Sequence, residues 1–311
     1  MCRENKLNDL SARRWLRETK SFWVAGEVEN SPWTEQRRAE LSQWLQQSYG
    51  EDQAEQMLDQ ILPSAFYSVA PTRDKLKLRH PATFSEHDIE RLIRLFTKQG
   101  QCVLDPFVGS GSTLIACHQS NRRGIGIELV DEWVQISRQR LQDAGAGDDQ
   151  RILHGDAEEK LDEIDEGSVD FIVTSPPYWN ILAKKPGMKA QAERVKRDLP
   201  TDYGDHDRDL GSIADYACFL ERLGALFGKC ARTLKPGGYL ACIVSDFRHG
   251  PRFYMYHADL ATMIERHGLP PKGITVLLQN NKNLYPFAIP YAFVSNIHHQ
   301  YILIHQKPKS K

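Results

Sequence analysis

Ser175-Pro176-Pro177-Tyr178 closes an apolar run, Val169 to Thr174, with two prolines and an aromatic ring. Proline has a fixed φ and no amide hydrogen. Two successive nitrogens therefore cannot donate, and the carbonyls of Ser175 and Pro176 are held as acceptors beside the ring of Tyr178. Such a corner suits a flat ring bearing an amine. The ring stacks on tyrosine, the acceptors take the amine hydrogens, and the nitrogen lone pair is left directed at an electrophile. The bland alternative is a rigid turn lined by core aromatics.

A second set of residues precedes this corner. Asp105-Pro106-Phe107-Val108-Gly109-Ser110-Gly111-Ser112-Thr113 follows an apolar run and opens a helical stretch. Small residues let the backbone approach a ligand, and a helix N-terminus offers free amides. No Gly-Lys-Ser/Thr follows and no G-x-G-x-x-G pattern is present, so neither a nucleoside triphosphate nor a dinucleotide loop is indicated. Glu128 ends the next apolar run, where a carboxylate can accept from both hydroxyls of a ribose. Asp156 follows the one after, placed to accept from an adenine amino group. Alone, each acid reads as a surface group or a helix cap. Together with the glycine loop they outline a crevice for a nucleoside with no phosphate to hold.

The elements that position these residues alternate in period. Apolar runs at 101–105, 124–128, 151–154, 169–174, 238–245, 273–279 and 299–305 read as strands. Helical patterns fall at 112–121, 130–142, 157–164, 211–232 and 256–267. Strands alternating with helices predict a mostly parallel α/β sheet, with ligands beyond the carboxyl ends of its strands. A further helix runs from Ser85 to Gly100, with Ser85 as cap and Asp88 three residues on. Residues 33–62 read as a helical hairpin broken at Gly50, an N-terminal extension.

Composition narrows the possibilities. The chain has 311 residues, is 41% hydrophobic and carries a net charge of −1. A large core is available and no global basic field exists, so any nucleic-acid contact must be local. The six cysteines show no C-x-x-C spacing and read as reduced core residues of a cytosolic protein. No metal-ligand set, signal peptide or membrane span is read.

The two motifs resemble those of the S-adenosylmethionine-dependent DNA amino-methyltransferases, which modify cytosine N4 or adenine N6. "DPFVGSGST" is similar to the family's glycine-loop motif, and "TSPPYW" to its catalytic motif. "HPATFS" (80–85) resembles the segment that holds the methionine part of the cofactor, with Ser85 where the family usually has proline. "TKSFW" (19–23) resembles a segment closing over the cofactor. The resemblance implies a Rossmann-like class I methyltransferase with a seven-stranded sheet, its catalytic domain spanning 80–311 after an N-terminal segment, 1–79. It implies S-adenosylmethionine as cofactor. The cofactor residues would be Asp105, Pro106, Phe107, Gly109, Gly111, Ser112, Thr113, Glu128, Asp156, His80, Ala82, Thr83, Phe84, Lys20, Ser21 and Trp23. Ser175, Pro176, Pro177 and Tyr178 would be catalytic, acting on a base flipped out of DNA. Serine at the first position favours cytosine N4, with adenine N6 as the alternative. An RNA amino-methyltransferase and a catalytically silent DNA-binding homologue are weaker rivals. Whether a restriction enzyme accompanies the chain is left to neighbouring genes, and the oligomeric state stays open.

Two segments are expected to contact DNA. Within the charged insert 180–210, Lys184, Lys185, Lys189, Arg194, Lys196 and Arg197 form a basic run beside the corner. Residues 246–257 add Arg248 and Arg252 among aromatics, with core packing of Phe253 and Tyr256 as the other reading. Replacing Lys184, Lys185, Lys196 and Arg197 with glutamine is expected to weaken DNA binding and to lower its salt slope by about one per lost phosphate contact. Titrations at several salt concentrations check this; an unaltered slope marks the run as a solvated loop.

Overall fold

Each central strand buries side chains on both of its faces. Within Cys102–Asp105, Val103 joins one apolar layer while Cys102 and Leu104 join the other. Within Val169–Thr174, Phe171 and Val173 likewise oppose Ile172. Burial on both faces requires helices on both sides. In this computed structural model the described residues are 7–10, 22–25, 35–50, 53–54, 57, 85–179, 210–279 and 294–309.

The elements run β1 (Phe22–Ala25), α1 (Glu35–Tyr49), α2 (Glu86–Phe96), β2 (Cys102–Asp105), α3 (Ser112–Gln119), β3 (Arg123–Glu128), α4 (Asp131–Asp143), β4 (Gln150–His154), α5 (Ala157–Lys160) and β5 (Val169–Thr174). They continue with α6 (Tyr216–Thr233), β6 (Leu234–Val244), β7 (Phe247–His249), β8 (Arg252–Tyr254), α7 (Tyr256–Arg266), β9 (Pro271–Gln279) and β10 (His299–Gln306). The main sheet has the order β1-β9-β10-β6-β5-β2-β3-β4, and only β10 runs antiparallel to its neighbours. Without β1 it is the seven-stranded, Rossmann-like sheet that the resemblance implies.

Strand order reverses between β2 and β5: β3 and β4 extend one way, β6 the other. Loops leaving the two central strands diverge there and leave a crevice. On one face α2 and α3 pack over Phe171, Val173, Ala241 and Ile243. Phe96 stacks on Phe171 at 5.1 Å between centroids. On the other face α6 and α7 bury Phe219, Leu223, Phe227, Leu260 and Ile264 against Leu104, Ile172 and Cys242.

Several expectations are corrected. The sheet gains an eighth strand from the N-terminal segment: Trp23, expected over the cofactor, pairs in β1 with Leu277 of β9. Strands β9, β10, β6 and β5 lie between it and β2, roughly 24 Å at about 4.8 Å per step. Its backbone is therefore remote from the crevice. Ser85 stands at the N-cap of α2 without a side-chain capping bond. The helix expected over 157–164 is α5 followed by a 3-10 turn at Leu161–Glu163. Cys102, Cys117, Cys230 and Cys242 are buried as expected, but Cys218 faces solvent on α6. Among the described residues no helix is long and apolar enough to cross a membrane.

Candidate active site

The glycine loop and the proline corner leave the sheet side by side, from β2 and β5. One carboxylate joins them. Asp105 is 1% exposed. One of its oxygens accepts from the Thr174 hydroxyl at 2.6 Å and the Phe107 amide at 3.0 Å; the other accepts from the Thr113 hydroxyl at 2.5 Å. Thr113 begins α3 and Thr174 immediately precedes Ser175. The side chain expected on the cofactor is thus turned into the protein, where it sets the loop against the corner. Burial pushes its carboxyl up to about 6, although all three hydrogen bonds pull the other way.

Glu128, at the end of β3, has the opposite disposition. Its two oxygens accept from the amides of Gly109 and Val130, each at 2.9 Å. The group is only partly buried. Burial is the main reason its carboxyl is pushed up to about 7. Gly109, at φ 52°, has the left-handed backbone that this turn requires. Gly111, at φ 84°, is the N-cap of α3, and a Cβ there would run into the Ser137 side chain. The first-turn amides of α3 have no side-chain cap and suit an anionic group. Asp156 caps α5, accepting from the Glu158 amide at 2.9 Å.

The corner is fixed from behind. The Tyr178 hydroxyl accepts from the Ser245 amide at 2.9 Å, just past the end of β6. Its ring lies 5.8 Å from Tyr256 and 6.4 Å from Phe247 between centroids. Burial pushes the Tyr178 phenol up to about 12, so it stays neutral. Tyr256 donates to the Pro177 carbonyl at 3.4 Å. Trp179 is buried, and its indole donates to the Ile213 carbonyl at 2.9 Å. Beside Ser245, Asp246 contacts the His257 Nδ1 at 2.7 Å, and the His257 ring stacks on Tyr301 at 3.9 Å. Burial pushes up the thiols of Cys117, Cys230 and Cys242, which makes them poor nucleophiles.

Among the expected site residues, Asp105, Pro106, Phe107, Gly109, Gly111, Ser112, Thr113, Glu128, Asp156 and the 175–178 corner all lie at or just beyond the carboxyl ends of β2, β3, β4 and β5. Lys20, Ser21, His80, Ala82, Thr83, Phe84 and the basic run Lys184–Arg197 lie outside the described residues. Arg248 and Arg252 sit on the β7–β8 hairpin, packed over Trp179 through His249 and Tyr254.

A family model described as DNA methylase matches residues 14–139. It takes in the glycine loop and ends before the corner. A second, described as an RMKL-like methyltransferase domain, matches 92–199 and takes in both. The Type II methyltransferase M2.DpnII of Streptococcus pneumoniae is 44% identical over 64 residues, 21% of this chain and 24% of that protein. The Type II methyltransferase M.Cfr9I of Citrobacter freundii is 43% identical over 74 residues, 24% and 23% of the two chains. The glycine-loop half of the chain is thus similar to DNA methylases. Its matches to these relatives span about a quarter of their length. A 4-amino-L-phenylalanine/4-methylamino-L-phenylalanine methyltransferase of Streptomyces pristinaespiralis is 32% identical over 155 residues, 49% of this chain and 46% of that one. Among solved structures, a DNA modification methylase of Thermus thermophilus aligns with 26% identity and a TM-score of 0.35, covering 50% of this chain and 52% of that one.

Sequence reading missed one device that shapes the glycine loop. Arg140 of α4 donates to the Ser110 carbonyl and, at 2.6 Å, to Glu86 of α2. Glu86 also accepts from the Ser112 hydroxyl at 3.0 Å. The pair is largely buried, with side chains 7% and 13% exposed. A signal was present: Ser137 and Arg140 share the spacing of Trp133, Val134 and Leu141, a polar pair on an apolar helix face. Arg140→Met should deprive Glu86 of its cation and lower stability by roughly 3–5 kcal/mol. Denaturant unfolding and amide exchange read it. Exchange at Gly111–Leu114 should rise, and adding Glu86→Gln should recover part of the stability. Unchanged protection there would show that the pair does not hold the loop.

Proposed function

We propose that the chain transfers a methyl group from S-adenosylmethionine to the exocyclic amine of a base in DNA, with cytosine N4 as the favoured acceptor. The observation that carries this is the Thr174–Asp105–Thr113 link, which holds an amine-gripping corner against a nucleoside-type crevice. Glu128 would hold the ribose hydroxyls, the glycine loop and the α3 amides would take the amino-acid end, and Asp156 would lie toward the adenine. Bound there, S-adenosylmethionine supplies an electrophilic methyl group.

The chain's own residues do the rest by positioning. The Pro177 carbonyl is engaged by Tyr256, so Ser175 and the Pro176 carbonyl are the acceptors left for the amine hydrogens. The ring of Tyr178 supports the base. No general base is assigned, because the amine sheds its proton after it has been alkylated. The preference for cytosine rests on Ser175, by resemblance to the N4 enzymes; adenine N6 is the alternative. The expected contacts to DNA are the basic run 184–197 with Arg248 and Arg252.

A second reading has one observation in its favour. The stretch shared with the S. pristinaespiralis enzyme, 155 residues, is longer than the 64 and 74 shared with the two Type II relatives. That enzyme's name specifies a free aromatic amine, which the same corner could grip. Labelled S-adenosylmethionine offered with DNA or with 4-amino-L-phenylalanine separates the two. Nucleoside analysis of methylated DNA then distinguishes N4-methylcytosine from N6-methyladenine.

Glu128 binds a diol best when ionised, so affinity for S-adenosylmethionine should rise with pH through about 7. Between pH 6 and 8 the ionised fraction grows about tenfold. Glu128→Gln should weaken binding and flatten this rise; calorimetric profiles that stay parallel for both chains would remove Glu128 from the cofactor site.

Tyr178→Ala should lose most turnover but keep cofactor affinity, since small misplacements of a reacting nitrogen cost on the order of a hundredfold in rate. Tyr178→Phe keeps the ring but leaves the Ser245 amide without its acceptor, so an intermediate rate is expected. Single-turnover assays at saturating cofactor decide it. Equal rates for the two variants would show that the ring does not support the base.

A further inference from the structure

The β7–β8 hairpin has two faces with different partners. Phe247 pairs with Tyr254, Arg248 with Phe253, and His249 with Arg252. Strand alternation puts Phe247, His249 and Tyr254 on one face. Their rings lie 6.3, 4.7 and 5.4 Å from Trp179, the residue that follows the corner. Arg248 and Phe253 form the other face, the guanidinium 5.2 Å above the phenyl ring. Phe253 is 39% exposed and the adjoining Met255 60%. Core packing therefore accounts for Tyr256, which is fully buried, and not for Phe253. The segment from Phe247 to Ala258 contains no acidic residue. The Arg248 Nε is buried without a hydrogen-bond partner, and Arg252 lies over Tyr254 at 4.6 Å.

An exposed phenyl ring backed by a guanidinium, on a hairpin free of acids, is suited to a stacked, anionic partner. Drawing a base out of a duplex leaves a gap in the stack that water fills poorly. Apolar side chains can occupy such gaps, and arginine beside them neutralises phosphate. We propose that the outer face of this hairpin enters the duplex, with Phe253 filling the space vacated by the base that turns into the Ser175–Tyr178 corner and Arg248 meeting the adjacent backbone. The proposal rests on the DNA reading above. Its mechanical basis is Trp179. That ring ties the hairpin to the corner, so the point of entry and the receiving pocket keep a fixed separation.

The test uses the duplex sequence in which sequencing locates the methylated base, in two forms. One is fully paired; in the other the target base faces an abasic position and has no pairing to lose. Phe253→Ser should slow single-turnover methylation of the paired duplex roughly tenfold or more, and of the abasic-partner duplex about threefold or less, because an unpaired base is easier to extrude. Phe253→Leu, which keeps an apolar wedge, should regain much of the paired rate and guards against misfolding. Equal losses on both duplexes, or no loss on either, would overturn the wedge while leaving the DNA reading intact. If the unaltered chain methylates neither duplex, the DNA reading fails and the wedge falls with it.

Discussion

The buried carboxylate of Asp105 is the constraint on which the candidate site depends. A carboxylate with almost no exposure is costly unless its lone pairs are satisfied. Here three donors satisfy it, one from the turn after β2, one from the first turn of α3 and one from the end of β5. Hydrogen bonds to charged groups contribute roughly 1.5–3 kcal/mol each. Their larger effect is geometric, because the strands on either side of the switch point must end at matching heights for all three to form. The glycine loop and the proline corner are therefore parts of one rigid body.

Around that body the packing is layered. Helices α2 and α4 grip the back of the glycine loop through Glu86 and Arg140. An aromatic wall of Tyr178, Trp179, Tyr216, Phe247, Tyr254 and Tyr256 supports the corner. Rings suit this task because they fill volume with few rotatable bonds, so little entropy is lost in fixing them. The wall also carries the β7–β8 hairpin.

Most of the sheet was legible in the sequence because its strands are short apolar runs separated by helical periods, and because both faces are buried. The glycine loop and the corner were legible because glycine and proline constrain backbone in ways few other residues do. Asp105 was found, but its links to Thr113 and Thr174 were not. Its type and position are visible along the chain, whereas Thr174 reaches it across 69 residues of sequence and only in the folded protein. Glu86 and Arg140 escaped for the same reason, their partners lying 54 residues apart. Trp23 was assigned to the cofactor by resemblance, and no local pattern could reveal that its strand pairs at the far edge of the sheet.

That edge strand has a consequence for how the chain reaches its folded state. β1 comes from the start of the chain and β9 from near its end, so their pairing closes a loop comprising most of the polypeptide. Loop closure over such a span comes at an entropic cost and tends to form late. Until β1 docks, β9 offers an open parallel edge whose amides and carbonyls could pair with another molecule. Docking replaces the nine-residue edge of β9 with the four-residue edge of β1, and a short edge offers less for another chain to pair with.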